Sequence, residues 1–270
     1  MRNTDGRNKA AAESLSAWAR DEGLKLDVLD MDVTLDDSVT SAVSQALARA
    51  GHIDVVVNNA GATKRGPLEA FSMGEIQDLF NLNAFGPMRV NKAVLPSMRE
   101  RGSGLLIHIS STLGRVLAGL GGLYPSTKWA LEGLAESLHL QLKPFGVDVV
   151  IVEPGSYPTP AIVEPAWASG VEITKAYEER SSPRPRRSAH LLQESANQEV
   201  ADVVKALIDL PAGKRPLRTV VGSVTTDGIA EYNQFYEQTR ERVRASQGKV
   251  VPTTDRVPSA RLLEGMVLRD

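Results

Sequence analysis

The sequence contains no cysteine, so disulfide bonds, thiolate nucleophiles and cysteine-ligated metals are excluded. Its four histidines, His52, His108, His139 and His190, are widely spaced and form no H-E-x-x-H pattern, which argues against a zinc site. Lysine and arginine (31) do not outnumber aspartate and glutamate (33), so the basic excess typical of nucleic-acid-binding domains is also missing. We therefore predict neither a metal site nor a nucleic-acid partner.

Long hydrophobic runs are missing as well. No apolar stretch approaches the roughly 20 residues that cross a bilayer, and the first residues are charged and polar, unlike a secretory signal. The 270 residues are 42% hydrophobic and 24% charged, which is the composition of an ordinary soluble domain. The composition therefore predicts a cytoplasmic protein with no membrane partner.

What the sequence does contain is a regular alternation of strand-like and helix-like segments. The apolar patterns predict strands at 24–33, 53–58, 104–109, 147–154 and 216–221. They predict helices at 9–22, 34–50, 73–101, 124–145, 197–210 and 229–246. Thr34 is the expected N-cap of the second helix, and Ser72 with Glu75 forms a capping box for the third. This order predicts an α/β fold with a Rossmann-like, doubly wound parallel sheet.

The domain organisation follows from the same pattern. One domain is expected over residues 1–246, and residues 247–270 lack periodicity and are expected to form a C-terminal tail. Within the domain, the segment 156–196 is rich in proline, arginine and serine and is the expected substrate lid.

Polar residues follow three of the predicted strands. They are Asn58 to Gly61, Ser110 with Ser111, and Pro154 with Gly155. Parallel strands bring their carboxyl ends to one edge of the sheet, which is where such folds bind ligands. Turn formation explains any one of these motifs equally well, but their recurrence on three strands favours a site.

Tyr124 and Lys128 are four residues apart and therefore share one face of a predicted helix. A nearby ammonium is expected to lower the pKa of the phenol from about 10 towards the range useful for proton transfer. Ser111, at the end of the preceding strand, could polarise the same substrate oxygen. The Tyr-x-x-x-Lys spacing alone is common on surface helices, so these three residues are a candidate site only in combination.

The combined motifs resemble the short-chain dehydrogenase/reductase family, and in particular its hydroxysteroid- and retinol-dehydrogenase-like branch. The resemblance is carried by NNAG at 58–61, Asn83 in NAFG, Ser111, YPSTK at 124–128 and PGSYPT at 154–159. It implies hydride transfer between nicotinamide and a small-molecule carbonyl or secondary alcohol, with NADP rather than NAD as cofactor. It also implies a homo-oligomer built on Leu131, Leu134, Leu138 and Leu142, although packing in the core explains these leucines equally well.

The resemblance implies a role for each matching residue. Tyr124 would be the acid/base, Ser111 would stabilise the substrate, and Asn83 would anchor a water in a proton relay. The implied cofactor-binding residues are Arg2, Asp32, Val33, Asn58, Asn59, Ala60, Gly61, Tyr124, Lys128, Pro154, Gly155 and Thr159. Among them, Arg2 would bind the 2′-phosphate of NADP, because a guanidinium suits a phosphate better than a ribose hydroxyl.

The glycine-rich pyrophosphate loop of the family, T-G-x-x-x-G-x-G, occurs nowhere in the sequence. By comparison with the family, Met1 matches the end of the second strand, so we expect a strand–helix–strand unit of about 30 residues in front of it. Without that unit, segment 24–33 would have no sheet neighbour and the edge of 53–58 would be unpaired. Two alternatives to an enzyme therefore stay open: an inactive fragment, and a nucleotide-sensing protein on the same fold.

Overall fold

The structure is a computed structural model that describes residues 1–117, 122–157, 159, 166–180, 196–222 and 226–246. The predicted tail at 247–270 and most of the predicted lid lie outside the described residues. The chain divides into two compact units, Met1–Ala230 and Glu231–Asp270. Every site residue discussed below belongs to the first unit.

The described helices agree with the predicted ones to within a few residues, except at two places taken up below and except for the helix Val171–Arg180, which was not predicted and lies in the segment expected to form the lid. They are α1 (Lys9–Asp21), α2 (Asp36–Ala50), α3 (Met73–Phe80), α4 (Gly86–Arg101), α5 (Leu123–Leu142), α6 (Val171–Arg180), α7 (Ala196–Asp209) and α8 (Thr226–Ser246). The capping box of α3 is confirmed: Ser72 Oγ accepts from the Glu75 amide, and Glu75 Oε2 accepts from the Ser72 amide. No described helix is both long enough and apolar enough to cross a bilayer.

A four-stranded parallel sheet forms the centre of the first unit. The described part of the chain has six strands, of which four form this sheet. They are β1 (Val55–Asn58), β2 (Lys64–Arg65), β3 (Gly104–Ile109), β4 (Val147–Pro154), β5 (Ala166–Trp167) and β6 (Arg218–Val221). The central sheet has the order β1-β3-β4-β6 and only parallel pairings, while β2 and β5 form a separate parallel pair. The predicted parallel α/β architecture is therefore confirmed, and the strands all end at one edge of the sheet.

Helices cover both faces of this sheet. Leu106 and Ile151 belong to a core cluster that includes residues of α2, α4 and α5. Ile107 and Val150, at alternate positions of the same strands, pack with Leu207 of α7 on the opposite face. Strands buried on both faces read as nearly continuous apolar runs, which is why the sequence of β3 and β4 shows so little polar alternation.

The leucines proposed for an oligomer interface lie mainly in this core. Leu131, Leu138 and Leu142 are buried, and the last two pack with the sheet. Their helical spacing is therefore explained by core packing, and assembly into an oligomer stays a prediction.

The predicted strand at 24–33 is wrong. This segment forms no β-ladder, and its main-chain contacts to Met1 are one bond from the Met1 ammonium to Leu29 O and one from the Met31 amide to Met1 O. Leu24 and Leu26 are about half exposed, at 53% and 43%. The physical reason is that a strand needs a neighbour for its backbone groups, and no described strand lies beside this segment.

The expectation that one edge of segment 53–58 is unpaired is confirmed for β1. Its only partner among the described residues is β3, and Val57 is 42% exposed, so β1 is not buried on both faces as its apolar sequence suggested. The start of α2 also differs from the prediction. Leu35 occupies the N-cap position, one residue later than predicted, and the Thr34 hydroxyl donates to Asp32 Oδ1 at 2.6 Å.

Candidate active site

The carboxyl edge of the sheet carries the predicted catalytic residues. Ser111 lies two residues after the end of β3, and Tyr124 and Lys128 lie in the first two turns of α5. Lys128 Nζ donates a hydrogen bond to the carbonyl of Ile109, the last residue of β3, at 2.8 Å. This bond fixes the start of α5 to the end of the strand, so the structure brings the three predicted residues together.

The Ser111 side chain lies close enough to the Tyr124 phenol to influence its pKa. Burial raises the pKa of the Tyr124 phenol, and Ser111 lowers it by less, so the pKa lies above its ordinary value. The expectation that Lys128 lowers this pKa is therefore wrong in this structure. The Lys128 ammonium lies 5.8 Å from the centre of the Tyr124 ring and donates to the backbone instead of to the phenol.

Lys128 is itself strongly affected by burial. Desolvation lowers the pKa of its ammonium to about 8, although the nearby Glu132 carboxylate raises it. The imidazole of His108, fully buried on β3, has a pKa lowered to about 4, first by burial and then by the charge of Lys128. At neutral pH the site therefore holds a charged lysine beside a neutral histidine.

Asn83 lies where the predicted long helix is interrupted. Residues Asn81–Phe85 form a π-helical turn between α3 and α4, a feature that often accompanies functional sites. The Asn83 amide donates to Ala62 O at 2.9 Å and to Thr127 Oγ1 at 3.0 Å, and its Oδ1 accepts from the Ala62 amide at 3.0 Å. Asn83 thus joins the loop after β1 to the catalytic helix; its predicted role with a relay water stays a prediction.

Gly61 explains why that loop needs a glycine. A Cβ at this position would lie 3.2 Å from Asn83 Oδ1 and 3.9 Å from Lys128 Nζ. Asn59, Ala60 and Gly61 are exposed, so their backbone faces the open edge of the sheet. The loop therefore packs closely against Asn83 and Lys128, and its cofactor-binding role stays a prediction.

Asn58 has a different environment. It is buried and donates to Asn91 Oδ1 at 2.9 Å, and the Asn91 amide lies 3.3 Å from His108 Nε2. The structure therefore gives Asn58 a bonding partner in the interior. Sequence reasoning missed Asn91 and the interior role of His108; the available signal was a polar residue within the apolar face that Val90 and Val94 present on α4.

Two of the predicted cofactor-binding residues, Arg2 and Asp32, are brought together near the N-terminus. A guanidinium nitrogen of Arg2 lies 3.6 Å from Asp32 Oδ2. Both side chains line a surface cavity of about 360 Å³ together with Asn3, Arg7 and Asn8, which sequence reasoning missed. Burial raises the pKa of Asp32, but hydrogen bonds from Thr34 and the charge of Arg2 outweigh it, so the pKa lies below its ordinary value.

The other predicted cofactor residues divide into core and edge positions. The Val33 side chain is buried in the core and packs against Gly86, so any contact to a ligand would have to come from its backbone. Pro154 and Gly155 lie at the end of β4, where the Gly155 amide donates to Val221 O at 2.9 Å. Thr159 is half-buried, and its amide donates to Tyr157 O at 2.9 Å.

Known proteins resemble this chain in sequence and in fold. A family model described as short chain dehydrogenase matches residues 4–165. Human retinol dehydrogenase 8 is 36% identical over 217 residues, which cover 78% of this chain and 68% of that protein. An alcohol dehydrogenase from Thermococcus sibiricus, solved with 5-hydroxy-NADP, superposes with a TM-score of 0.63 at 27% identity and covers 83% of both chains.

An uncharacterized oxidoreductase of Schizosaccharomyces pombe is 39% identical over 137 residues, 51% of this chain. The aligned part spans only 58% of that relative's length. The family model nevertheless matches more than half of this chain, and its matched range contains Asn83, Ser111, Tyr124 and Lys128. The chain therefore belongs to the short-chain dehydrogenase/reductase family.

Proposed function

We propose that this chain is an oxidoreductase that uses NADP(H) to interconvert a carbonyl and a secondary alcohol. The observation that carries the proposal is the convergence of the Ser111 and Tyr124 side chains at this edge, beside the buried ammonium of Lys128, which lies 5.8 Å from the centre of the Tyr124 ring. Two hydroxyls at the carboxyl edge of a parallel sheet can bind one substrate oxygen from two sides.

The raised pKa of Tyr124 favours one direction of reaction. The phenol stays protonated at neutral pH and is therefore ready to donate a proton to a carbonyl oxygen. Ser111 would donate a hydrogen bond to the same oxygen and hold it in line with the phenol. Bound NADPH would supply the hydride that completes a reduction.

The side chains present fit the two ends of such a cofactor. Lys128 and the exposed backbone around Gly61 are the candidates to hold the nicotinamide ribose, and Thr159 is the candidate to contact the carboxamide. Arg2 and Arg7 line one cavity and suit the phosphate that distinguishes NADP from NAD. The NADP analogue in the Thermococcus sibiricus structure supports this choice, and the name of the human relative, retinol dehydrogenase, supports an alcohol or carbonyl substrate.

The direct test is NADPH oxidation over a panel of ketones and aldehydes. Wild-type protein is expected to turn over at least one of them, and Tyr124→Phe is expected to lose about 10²-fold or more in kcat, as removal of a general acid does. Phenylalanine keeps the ring and its packing, so binding of NADPH should be retained.

The two alternatives give different results in the same experiment. A nucleotide-sensing protein would bind NADPH, seen as a rise in Tm with cofactor, yet oxidise it with none of the substrates. An inactive fragment would show neither binding nor turnover. Turnover that is equal in wild type and Tyr124→Phe would contradict the proposed role of the phenol.

A further inference from the structure

A group of mostly buried charged side chains lies along α5, on the C-terminal side of Lys128. Glu132 and Glu136 follow Lys128 at successive intervals of four residues on this helix. Both accept hydrogen bonds from Arg218 of β6, Glu132 at 2.9 Å from Nε and Glu136 at 2.6 Å from Nη2. Glu153 of β4 lies 3.5 Å from the same Nε. One guanidinium therefore joins the catalytic helix to two strands.

The same group reaches the loop that carries Ser111. Arg115, four residues after Ser111, lies 3.8 Å from Glu153 Oε1. Between them, a Cβ added to Gly114 would lie 3.3 Å from both Lys128 Cβ and Glu132 Cγ. The loop after β3 therefore packs directly onto α5 at these two side chains.

The charges in this region balance. Three cations and three carboxylates are present, and most are almost completely buried; they are Lys128, Arg115, Arg218, Glu132, Glu136 and Glu153. In such an environment a charge interacts more strongly with its neighbours than it would in water. Removing a single charge is therefore expected to alter the protonation of its nearest neighbours most strongly, and that of more distant groups much less.

We propose that Glu132 is a positioning residue of the active site, which holds Lys128 in its charged form beside Tyr124. This inference rests on the proposed function of the Tyr124–Lys128 pair. The Glu132 carboxylate lies one helical turn from Lys128 and is held in place by Arg218, so its charge offsets the cost of burying the ammonium. Its second oxygen, Oε1, is buried and accepts no hydrogen bond from the described residues.

The other groups around Lys128 do not replace this charge. His108 of β3 is neutral at pH 7, because burial and Lys128 hold its pKa at about 4. Lys64 of β2 and Glu75 of α3, on elements that pack near α5, pair with each other at 3.2 Å. Among the described residues that belong to this charged group, the others are Tyr124 and Glu136 on α5, Arg115 in the loop after β3, Glu153 on β4 and Arg218 on β6.

Glu136 supplies a matched control. It binds the same guanidinium as Glu132 but lies two helical turns from Lys128, so its loss should weaken the network without removing the charge beside the ammonium. Glu132→Gln and Glu136→Gln are therefore the same chemical change at two distances from the active site.

The test is the titration of Lys128 in the intact chain, followed by NMR of protein labelled with ¹³C at lysine Cε. The Lys128 signal is assigned by its disappearance in Lys128→Met. In wild type the midpoint is expected at about 8. Glu132→Gln should move it to lower pH by about one pH unit or more, whereas Glu136→Gln should leave it within about 0.3 unit.

Equal shifts in the two variants, or no shift in either, would overturn the proposal. If Glu132→Gln does not fold, Glu132→Asp keeps the charge but withdraws it by one methylene and should give a smaller shift in the same direction. A wild-type midpoint below pH 7 would also overturn the proposal, without any variant. The titration needs no substrate, so a failure of the proposed function appears separately, as a wild-type protein that titrates as expected but does not oxidise NADPH.

Discussion

Two parts of the first unit contain similar apolar sequences but have different structures. In the sheet half formed by β3, β4 and β6 under α5, strands are paired and residues such as Leu106 and Ile151 are completely buried. In the N-terminal half, by which we mean residues 1–50, segment 24–33 pairs with no strand and Leu26 is 43% exposed. An apolar pattern therefore shows that a segment can form a strand, whereas a neighbouring strand determines whether it does.

The two halves also differ in how they use charge. The sheet half contains the buried network around Arg218, whose side chain is 6% exposed. The N-terminal half contains isolated pairs in contact with water, such as Arg49 with Asp27 at 2.9 Å, whose side chains are 49% and 66% exposed. Solvent screens the second kind of pair and removes most of its contribution to stability. Substitutions can therefore test the comparison directly.

The largest difference is expected for the two arginines. Arg218→Met should lower the free energy of unfolding by about 3–5 kcal/mol, because it leaves buried carboxylates without their guanidinium. Arg49→Met should lower it by about 0–1 kcal/mol, as exposed ion pairs do. Urea denaturation at neutral pH measures both values. Losses that agree within 1 kcal/mol would show that the network is not the structural centre of the sheet half.

A smaller difference is expected for two leucines with the same chemistry. Leu106→Ala on β3 should lower the free energy of unfolding by about 2–5 kcal/mol, because it opens a cavity in a packed core. Leu26→Ala should change it by no more than about 0.5 kcal/mol, because the side chain is already half exposed.

Urea denaturation also measures the two leucine variants. Ile107→Val on β3 is a milder control in the core, and it should lower the free energy of unfolding by about 0.5–1.5 kcal/mol. A loss above 2 kcal/mol in Leu26→Ala would mean that segment 24–33 is packed in solution, and the contrast between the halves would then disappear.

Most of the fold could be predicted from local sequence. The capping box of Ser72 and Glu75 and the apolar runs of β3 and β4 act over a few residues, so their patterns were sufficient. The site residues Ser111, Tyr124 and Lys128 were also found, because parallel strands bring their carboxyl ends to one edge. These predictions depend on short-range chemistry and on topology.

What could not be predicted depends on contacts between distant parts of the chain. Arg218 contacts Glu132 across 86 residues, and Asn58 contacts Asn91 across 33, with no pattern in either segment that identifies its partner. The pKa of Tyr124 was predicted in the wrong direction for the same reason, since burial in the assembled site raises it and outweighs the effect of Ser111. Spacing along a helix indicates proximity, but it does not indicate desolvation.

The smallest predicted effects concern the first residues of two helices. Ser72 caps α3 through its side chain, whereas Leu35 begins α2 with no side-chain cap and is 57% exposed. The backbone of Leu35 is extended, with φ −121° and ψ 121°, as a capping serine requires. Leu35→Ser should therefore raise the free energy of unfolding by about 1 kcal/mol, and Ser72→Ala should lower it by about the same amount.

Thermal and urea denaturation of the two single variants and the double variant measure this pair. The two sites share no hydrogen-bond partner, so the effects should add and the double variant should unfold close to wild type. A gain in Leu35→Ser would show that the N-terminal half is improved by local chemistry alone. No gain would mean that a side-chain cap adds nothing at the start of α2, and that the weakness of the N-terminal half lies in the missing strand pairing of segment 24–33.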